Sequence, residues 1–445
     1  MKISQGFGAL AVLALIAGCN DGALILEGER QELRAALAGT GQAVDGVSPL
    51  EPKPVQSAPI NLPGAQVNAD WTHRAGSASH VAGNVALGTN LTRVWSANIG
   101  KGDDRKHRIT SDPVVAGGRI FTLDSRSTVT ATGTDGGTLW QANLTPAADK
   151  EDDASGGGLA YGEGQIFATT GFGELVALNA TNGQVSWRQR FDAAVGGAPA
   201  VSDGRVYVVA RDGSAWAVRA SDGKVEWTLP GTPSVAGVMG VSSPAVDARQ
   251  VVFPFASGQM ISVAKDSGVS LWGAYVSGKR RGRAYASISD LTGDPVISNG
   301  VVYAGTAAGR LAAVNADTGQ PIWSAADGAA SPVVVSGGAV FMVNDEDQFV
   351  RLDAETGSEV WRADLPYFTK NKDKKRRTIF AHFGPVLAGG RLVIASSDGL
   401  IRSIDPASGA VISTLEMAGG AASAPVVAGR TLYVVTQNGQ LHAFR

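Results

Sequence analysis

A ten-residue pattern ending in tryptophan recurs along this chain and constrains its fold more than any other feature. Residues 178–187 read LNATNGQVSW, 314–323 read VNADTGQPIW and 352–361 read LDAETGSEVW. Looser copies are VRASDGKVEW at 218–227, VAKDSGVSLW at 263–272 and ATGTDGGTLW at 131–140. IDPASGAVIS at 404–413 carries Ser413 in the tryptophan place. A second landmark precedes the copies. Pro113, Pro199, Pro244, Pro295, Pro332, Pro385 and Pro425 each open a short apolar run, followed by Phe121, Tyr207, Phe253, Tyr303, Phe341, Val393 and Tyr433. One copy lacks the proline but keeps Gly164 and Phe167. A period of about 45 residues marks a repeat architecture.

Each unit reads as four short strands, a to d, exemplified by PVVVS (332–336), VVYAG (301–305), ELVALN (174–179) and QVSW (184–187). Gly136, Gly183, Gly223, Gly268, Gly319, Gly357 and Gly409 sit where a tight c-to-d turn needs positive φ. A lone four-stranded meander leaves both faces wet, and stacking copies around an axis buries them. The expectation is an all-β fold: an eight-bladed β-propeller of four-stranded antiparallel blades. The tryptophans are placed at the end of strand d, filling the gaps between blades. The copy at Pro425 stops at Arg445 after strand c, and LTRVWSAN (91–98) is a strand d without a preceding copy. Together the N- and C-terminal strands complete one blade and close the ring.

The 445 residues are 44% apolar and 18% charged, enough for a large core. Lys+Arg 38 against Asp+Glu 40 argues against a nucleic-acid partner. Cys19 is the single cysteine and the five histidines are scattered, which excludes an intramolecular disulfide and a cysteine-based cluster. Residues 1–18 read as a signal peptide: Lys2, an apolar stretch too short to span a bilayer, then Ile16-Ala17-Gly18 before Cys19. That junction resembles the lipobox of bacterial lipoproteins and implies lipidation at Cys19, with Asn20 favouring the outer membrane. Residues 19–67 read as a lipid-anchored tether. It holds a possible short helix over Leu24–Leu37, then a linker with Pro49, Pro52, Pro54, Pro59 and Pro63. The propeller is expected over 68–445.

The Ala-x-x-Gly-x-x-x-Trp core of the repeat resembles that of pyrroloquinoline-quinone (PQQ) dehydrogenases over 91–445. Two readings follow from it. One is a quinoprotein enzyme, or more generally a periplasmic ligand-binding propeller. The resemblance would then imply a quinone held near adjacent cysteines and calcium held by carboxylates. This chain has no such cysteine pair, and its acidic run Asp345-Glu346-Asp347 reads as a loop tip or a chelating group. Neither a Gly-x-Ser-x-Gly elbow nor a phosphate loop occurs. The other reading is the BamB family, propeller lipoproteins of the outer-membrane β-barrel assembly machinery. It implies a non-catalytic scaffold with no cofactor and no metal. Its expected partners are the barrel-inserting subunit through its periplasmic domains, other assembly lipoproteins and unfolded β-barrel clients. The family's apolar-plus-Arg cluster is matched here by Ala236-Gly237-Val238-Met239-Gly240 without the Arg. Its Arg-x-Ser-Asp segment is matched loosely by Ile288-Ser289-Asp290 with Arg283 upstream.

Loop lengths place the partner face. Eleven residues separate Trp187 from Pro199 and 8 separate Trp323 from Pro332, against 16 from Trp227 to Pro244, 22 from Trp272 to Pro295 and 23 from Trp361 to Pro385. These d-to-a insertions fall on one face, which in repeat rings is often the binding face. The expected docking patch is 234–241 with 279–290, carrying Ala236, Val238, Met239, Val241, Arg283 and Asp290 beside Lys279, Arg280 and Arg281. Lys374, Lys375, Arg376 and Arg377 form an accessory basic loop suited to an acidic partner or anionic lipid.

Overall fold

The computed structural model describes residues 57–234, 238, 243–278, 280, 288–370 and 372–445. Thirty-two strands form eight separate four-stranded antiparallel sheets. We number the blades I to VIII from the one beginning at Val114, with strands a to d running outward from the axis. Blade II shows the pattern: a Gly157–Gly162, b Gln165–Thr170, c Glu174–Asn179 and d Val185–Arg190. The other blades span 114–143 (I), 200–230 (III), 245–275 (IV), 293–325 (V), 334–364 (VI) and 382–416 (VII). Blade VIII combines 426–444 with Arg93–Asn98 as its strand d, which pairs Trp95 with Ala443 and Asn98 with Gln440. The ring therefore closes as the repeat count requires, and no strand edge is left open at the seam.

The tryptophan is not at the end of strand d. In blade II it is the third residue, Trp187, and the strand runs on to Arg190. It faces Ala177, and the ladder slips by one residue immediately beside this pair. The same slip recurs beside Trp140, Trp227, Trp272, Trp323 and Trp361. Such a bulge re-aims a side chain, and here the indole lies over the c-to-d turn of the next blade. Trp140 covers Gly183, where an added Cβ would stand 2.5 Å from the ring and φ is +73°. The indole N–H then donates to that blade, as from Trp140 to Ala180 O (3.2 Å) and from Trp272 to Ala316 O (2.8 Å). Within its own blade the indole packs on the strand-b aromatic, as Trp140 on Phe121 with ring centroids 5.8 Å apart. Ser413 breaks the series for a topological reason. The blade it faces is VIII, whose strands c and d come from segments far apart in the chain; where the other blades turn, Thr92 and Arg445 exchange hydrogen bonds (2.9 and 3.0 Å). No turn exists there for an indole to cover.

The innermost strands leave a backbone edge facing the axis. Residues 68–85 satisfy it by passing the blades in turn. Gly429 donates to Asn68 O, Val115 and Trp71 exchange both bonds, Tyr161 donates to Thr72 O, Val246 to Ala78 O and Ile297 to Ser79 O. Val201 N donates to His73 Nε2 (2.9 Å), Val81 packs beside Val333 of the VI interface, and Val85 bridges Ala388. This segment is a plug, and its bonds are the obligatory pairing of otherwise buried amides. Contact with the ring begins earlier still. Ala58 N donates to Ala407 O (3.1 Å), Arg351 donates to Ala58 O (2.7 Å), and Ile60 and Leu62 pack against the core of blades VI and VII. The last part of the proline-rich stretch, expected to be linker, is thus held on the propeller.

Burial pushes two plug histidines down, His73 to about 4 and His80 to about 3. His73 accepts the Val201 amide, which a protonated ring nitrogen cannot do. The unfolded chain takes up these protons near pH 6.5, so stability is complete above that value. It falls as pH drops through 6.5 toward 4, by about 3 kcal/mol or more per histidine at the limit. Thermal melts between pH 7.5 and 4.5 are expected to show a steep decline, and His80→Asn to flatten it. Asparagine accepts the φ of +62° at this position and replaces the donor to Pro295 O. An unchanged slope in His80→Asn contradicts this assignment.

Candidate partner-binding face and axial cavity

In each four-stranded meander the d-to-a connections start and end on the same face of the ring as the b-to-c turns. This is the arrangement expected from loop lengths. Val238 and Asp290, both expected in the docking patch, are in direct contact. The Val238 amide donates to the Asp290 carboxylate, and Val238 O accepts from Arg211 Nη1 at 3.1 Å. Asp290 is 1% exposed, and burial pushes its carboxyl up against the opposing pull of the Val238 amide and Arg211. It therefore positions the loop and presents no surface of its own to a partner. Ala236, Met239, Val241 and Arg283, with Lys279 and Arg281, lie outside the described residues, as does Cys19.

The basic cluster of 279–283 needs one correction. Arg280 is not a free surface charge. Its guanidinium forks onto Asp345 (Nε–Oδ2 2.5 Å, Nη2–Oδ1 2.8 Å) and lies 3.3 Å from Glu346. The same contacts answer the chelation question for 345–347: Asp345 and Glu346 are engaged by Arg280. No group of three His, Cys, Asp or Glu able to hold a metal occurs among the described residues. These residues do not fit a calcium–quinone pair.

The accessory basic loop is a short hairpin. Phe368 bridges Ile379, Thr369 N donates to Thr378 O (3.1 Å), and Arg376 stacks 5.1 Å over Phe368. Lys374, Lys375, Arg376 and Arg377 are all exposed, and among the described residues Arg376 alone of the four has a carboxylate partner, Asp373 at 2.8 Å.

The same face opens into a cavity of about 520 Å³ on the axis. Its walls carry the landmark prolines Pro332, Pro385 and Pro425, with Phe383 and Val238, and its floor is the plug at Trp71, Arg74 and Ala75. Arg74 lies between two carboxylates, 2.9 Å from Asp294 and 4.0 Å from Asp112. Burial pushes the Asp112 carboxyl up despite Arg74. Sequence reasoning did not find this trio, although a signal existed. Of the landmark prolines, Pro113 and Pro295 alone follow an aspartate. The position before the proline faces the next blade around the channel. Ala198 N donates to Ser243 Oγ, Ser243 N to Asp294 Oδ1, and Ala424 N to Asp112 Oδ1 (3.0, 3.0 and 2.8 Å).

Repeat, ring and indole–glycine locks define the class: an eight-bladed propeller of the PQQ-repeat type. The family model described as outer membrane protein assembly factor BamB matches residues 125–363 and 350–445. The chain belongs to this family. The BamB of Yersinia pestis is 27% identical over 363 residues, covering 79% of this chain and 88% of the relative. That of Xanthomonas campestris is 33% identical over 247 residues, covering 54% and 60%. Among solved structures, BamB from Moraxella catarrhalis superposes with a TM-score of 0.66 at 20% identity, covering 80% of this chain and all of that one (100%). The quinohemoprotein alcohol dehydrogenase of Comamonas testosteroni also gives 0.66, at 14% identity over 85% and 81%. At that identity the likeness is one of fold alone.

Proposed function

We propose that this protein is a non-catalytic scaffold of the outer-membrane protein assembly complex. It holds the barrel-inserting subunit through that subunit's periplasmic domains and thereby assists insertion of β-barrel clients. The observation that carries the reading is the family match through the ring, joined to a loop face in which Val238 is pinned from both sides by Asp290 and Arg211. A Val238 backbone held at both its amide and its carbonyl loses little conformational entropy on binding. The basic hairpin 368–379 acts as an electrostatic accessory that speeds encounter with an acidic surface. A lipid on Cys19 anchors the chain at the periplasmic face of the outer membrane. Among the described residues no helix is long and apolar enough to cross a membrane. The enzyme alternative has fold likeness in its favour, and the acidic run it would use is engaged by Arg280.

Capture of the barrel-inserting subunit from detergent-solubilised membranes tests the reading. Val238→Asp with Met239→Asp is expected to abolish capture while the melting curve stays that of a folded propeller. Charge reversal at 374–377 is expected to weaken capture mainly at low salt, because exposed charges are screened within about 10 Å at 0.1 M. Full capture by the double variant would rule out the patch. Cys19→Ser is expected to move the protein to the soluble periplasmic fraction, and identical fractionation of variant and wild type would rule out the anchor.

A further inference from the structure

The axial cavity holds a carboxylate with an incomplete set of donors. Three guanidinium groups near it each hold a carboxylate: Arg74 with Asp294 (2.9 Å), Arg108 with Asp103 (3.5 Å) and Arg280 with Asp345 (2.5 Å). Of the acids that line the cavity, Asp103, Asp112 and Asp345, Asp112 is the one whose cation stands farthest off. Its Oδ1 accepts the Ala424 amide at 2.8 Å, but its Oδ2 is 4.0 Å from Arg74 Nε, beyond hydrogen-bond reach. The Asp112 side chain is 13% exposed and lines the cavity. Ser423, adjacent in sequence to Ala424, lines it too. Ser423 is 2% exposed, and its hydroxyl has no hydrogen-bond partner among the described residues. A largely buried carboxylate accepts only, an unpaired hydroxyl can accept as well as donate, and a site built from the two favours a ligand that brings donors and positive charge. One stretch of the wall is apolar, formed by Phe383, Pro385 and Pro425. The volume of about 520 Å³ falls within the range of small-molecule sites.

We propose that the axial cavity binds a primary organic amine, its ammonium group on Asp112 and Ser423 and its apolar body against Phe383, Pro385 and Pro425. An ammonium suits the floor because it has three donors and no acceptor. The plug closes the cavity below, so the ligand enters from the loop face with the ammonium leading. This inference does not depend on the assembly role.

Titration calorimetry and saturation-transfer NMR with 2-phenylethylamine test it, with 2-phenylethanol as the neutral control. The amine is expected to bind saturably and the alcohol at least about tenfold more weakly, the loss of one charge-assisted contact. Asp112→Asn keeps an acceptor for the Ala424 amide and is expected to lose affinity for the amine by a similar factor. Should that variant fail to fold, Ala330→Trp decides. It fills the cavity from an exposed lining position and leaves the floor intact, so it is expected to abolish binding. Absence of saturable amine binding to the wild type, equal affinity for the alcohol, or retained affinity in folded Asp112→Asn or Ala330→Trp would overturn the proposal.

Discussion

Trp361→Ala is expected to lower the unfolding free energy by about 3–5 kcal/mol, the range for deleting a large aromatic from a packed core. Trp361 is 1% exposed and touches both Phe341 and Phe349 in its own blade, at 6.1 and 5.5 Å between ring centroids. Its indole N–H donates to Pro406 O of the next blade at 3.1 Å. Truncation therefore opens a void across the VI–VII boundary and leaves Pro406 O with the single 3.3 Å bond from Arg351. The reverse experiment is equally informative. Gly409→Ala would place a Cβ 2.7 Å from the Trp361 ring at a φ of +73°, and is expected to cost about 2 kcal/mol or more. Ser413→Trp is expected to add no comparable stability, because blade VIII has no c-to-d turn for the new ring to cover. Equilibrium urea denaturation of the three variants checks the set. A cost below about 1 kcal/mol for Trp361→Ala, the scale of a surface substitution, would mean that the indole is not the lock described here.

Deletion of 438–445 is expected to abolish cooperative folding. These residues carry strand c of blade VIII, Gln440–Phe444, which lies between the strand from Thr431–Val435 and the N-terminal strand Arg93–Asn98. Leu441 and Phe444 are 0% and 1% exposed, and burying each contributes about 1.5–3 kcal/mol. His442 adds a 2.7 Å hydrogen bond to Ser96. The loss approaches the net stability of an ordinary domain, about 5–15 kcal/mol. It also detaches Arg93–Asn98 from the ring and exposes two strand edges, which pair with other chains. Size-exclusion chromatography and a circular-dichroism melt are expected to show aggregation and a broad, early transition. A monomer with the wild-type melting curve would contradict closure at this seam.

Part of this architecture can be read directly from residue order. The Gly183-to-Trp187 spacing and its copies specify a turn, a strand and an indole aimed outward, all set by local geometry. Counting the copies yields eight blades, and the unmatched Trp95 strand yields the seam. The absent tryptophan at 413 is explained by the same count once the chain ends are seen to meet there. Insertion lengths located the loop face because connections are local to their own repeat.

What the tertiary structure alone decided are the contacts between residues far apart in the chain. Val238 meets Asp290 across 52 positions and Arg280 meets Asp345 across 65. Neither pairing has a periodic signature, so a segment expected to offer its charge outward instead uses Arg280 internally. The plug was hidden for a different reason. Trp71 to Val85 join the blades mostly through backbone amides and carbonyls, which every residue carries and no side-chain pattern reveals. Asp112 and Asp294 stood beside their prolines in plain view, but only closure of the ring brings them to either side of Arg74. Local chemistry determines the repeat unit. The cavity, its leftover carboxylate and the contacts of Val238 arise from the angle at which eight units meet, which no single repeat encodes.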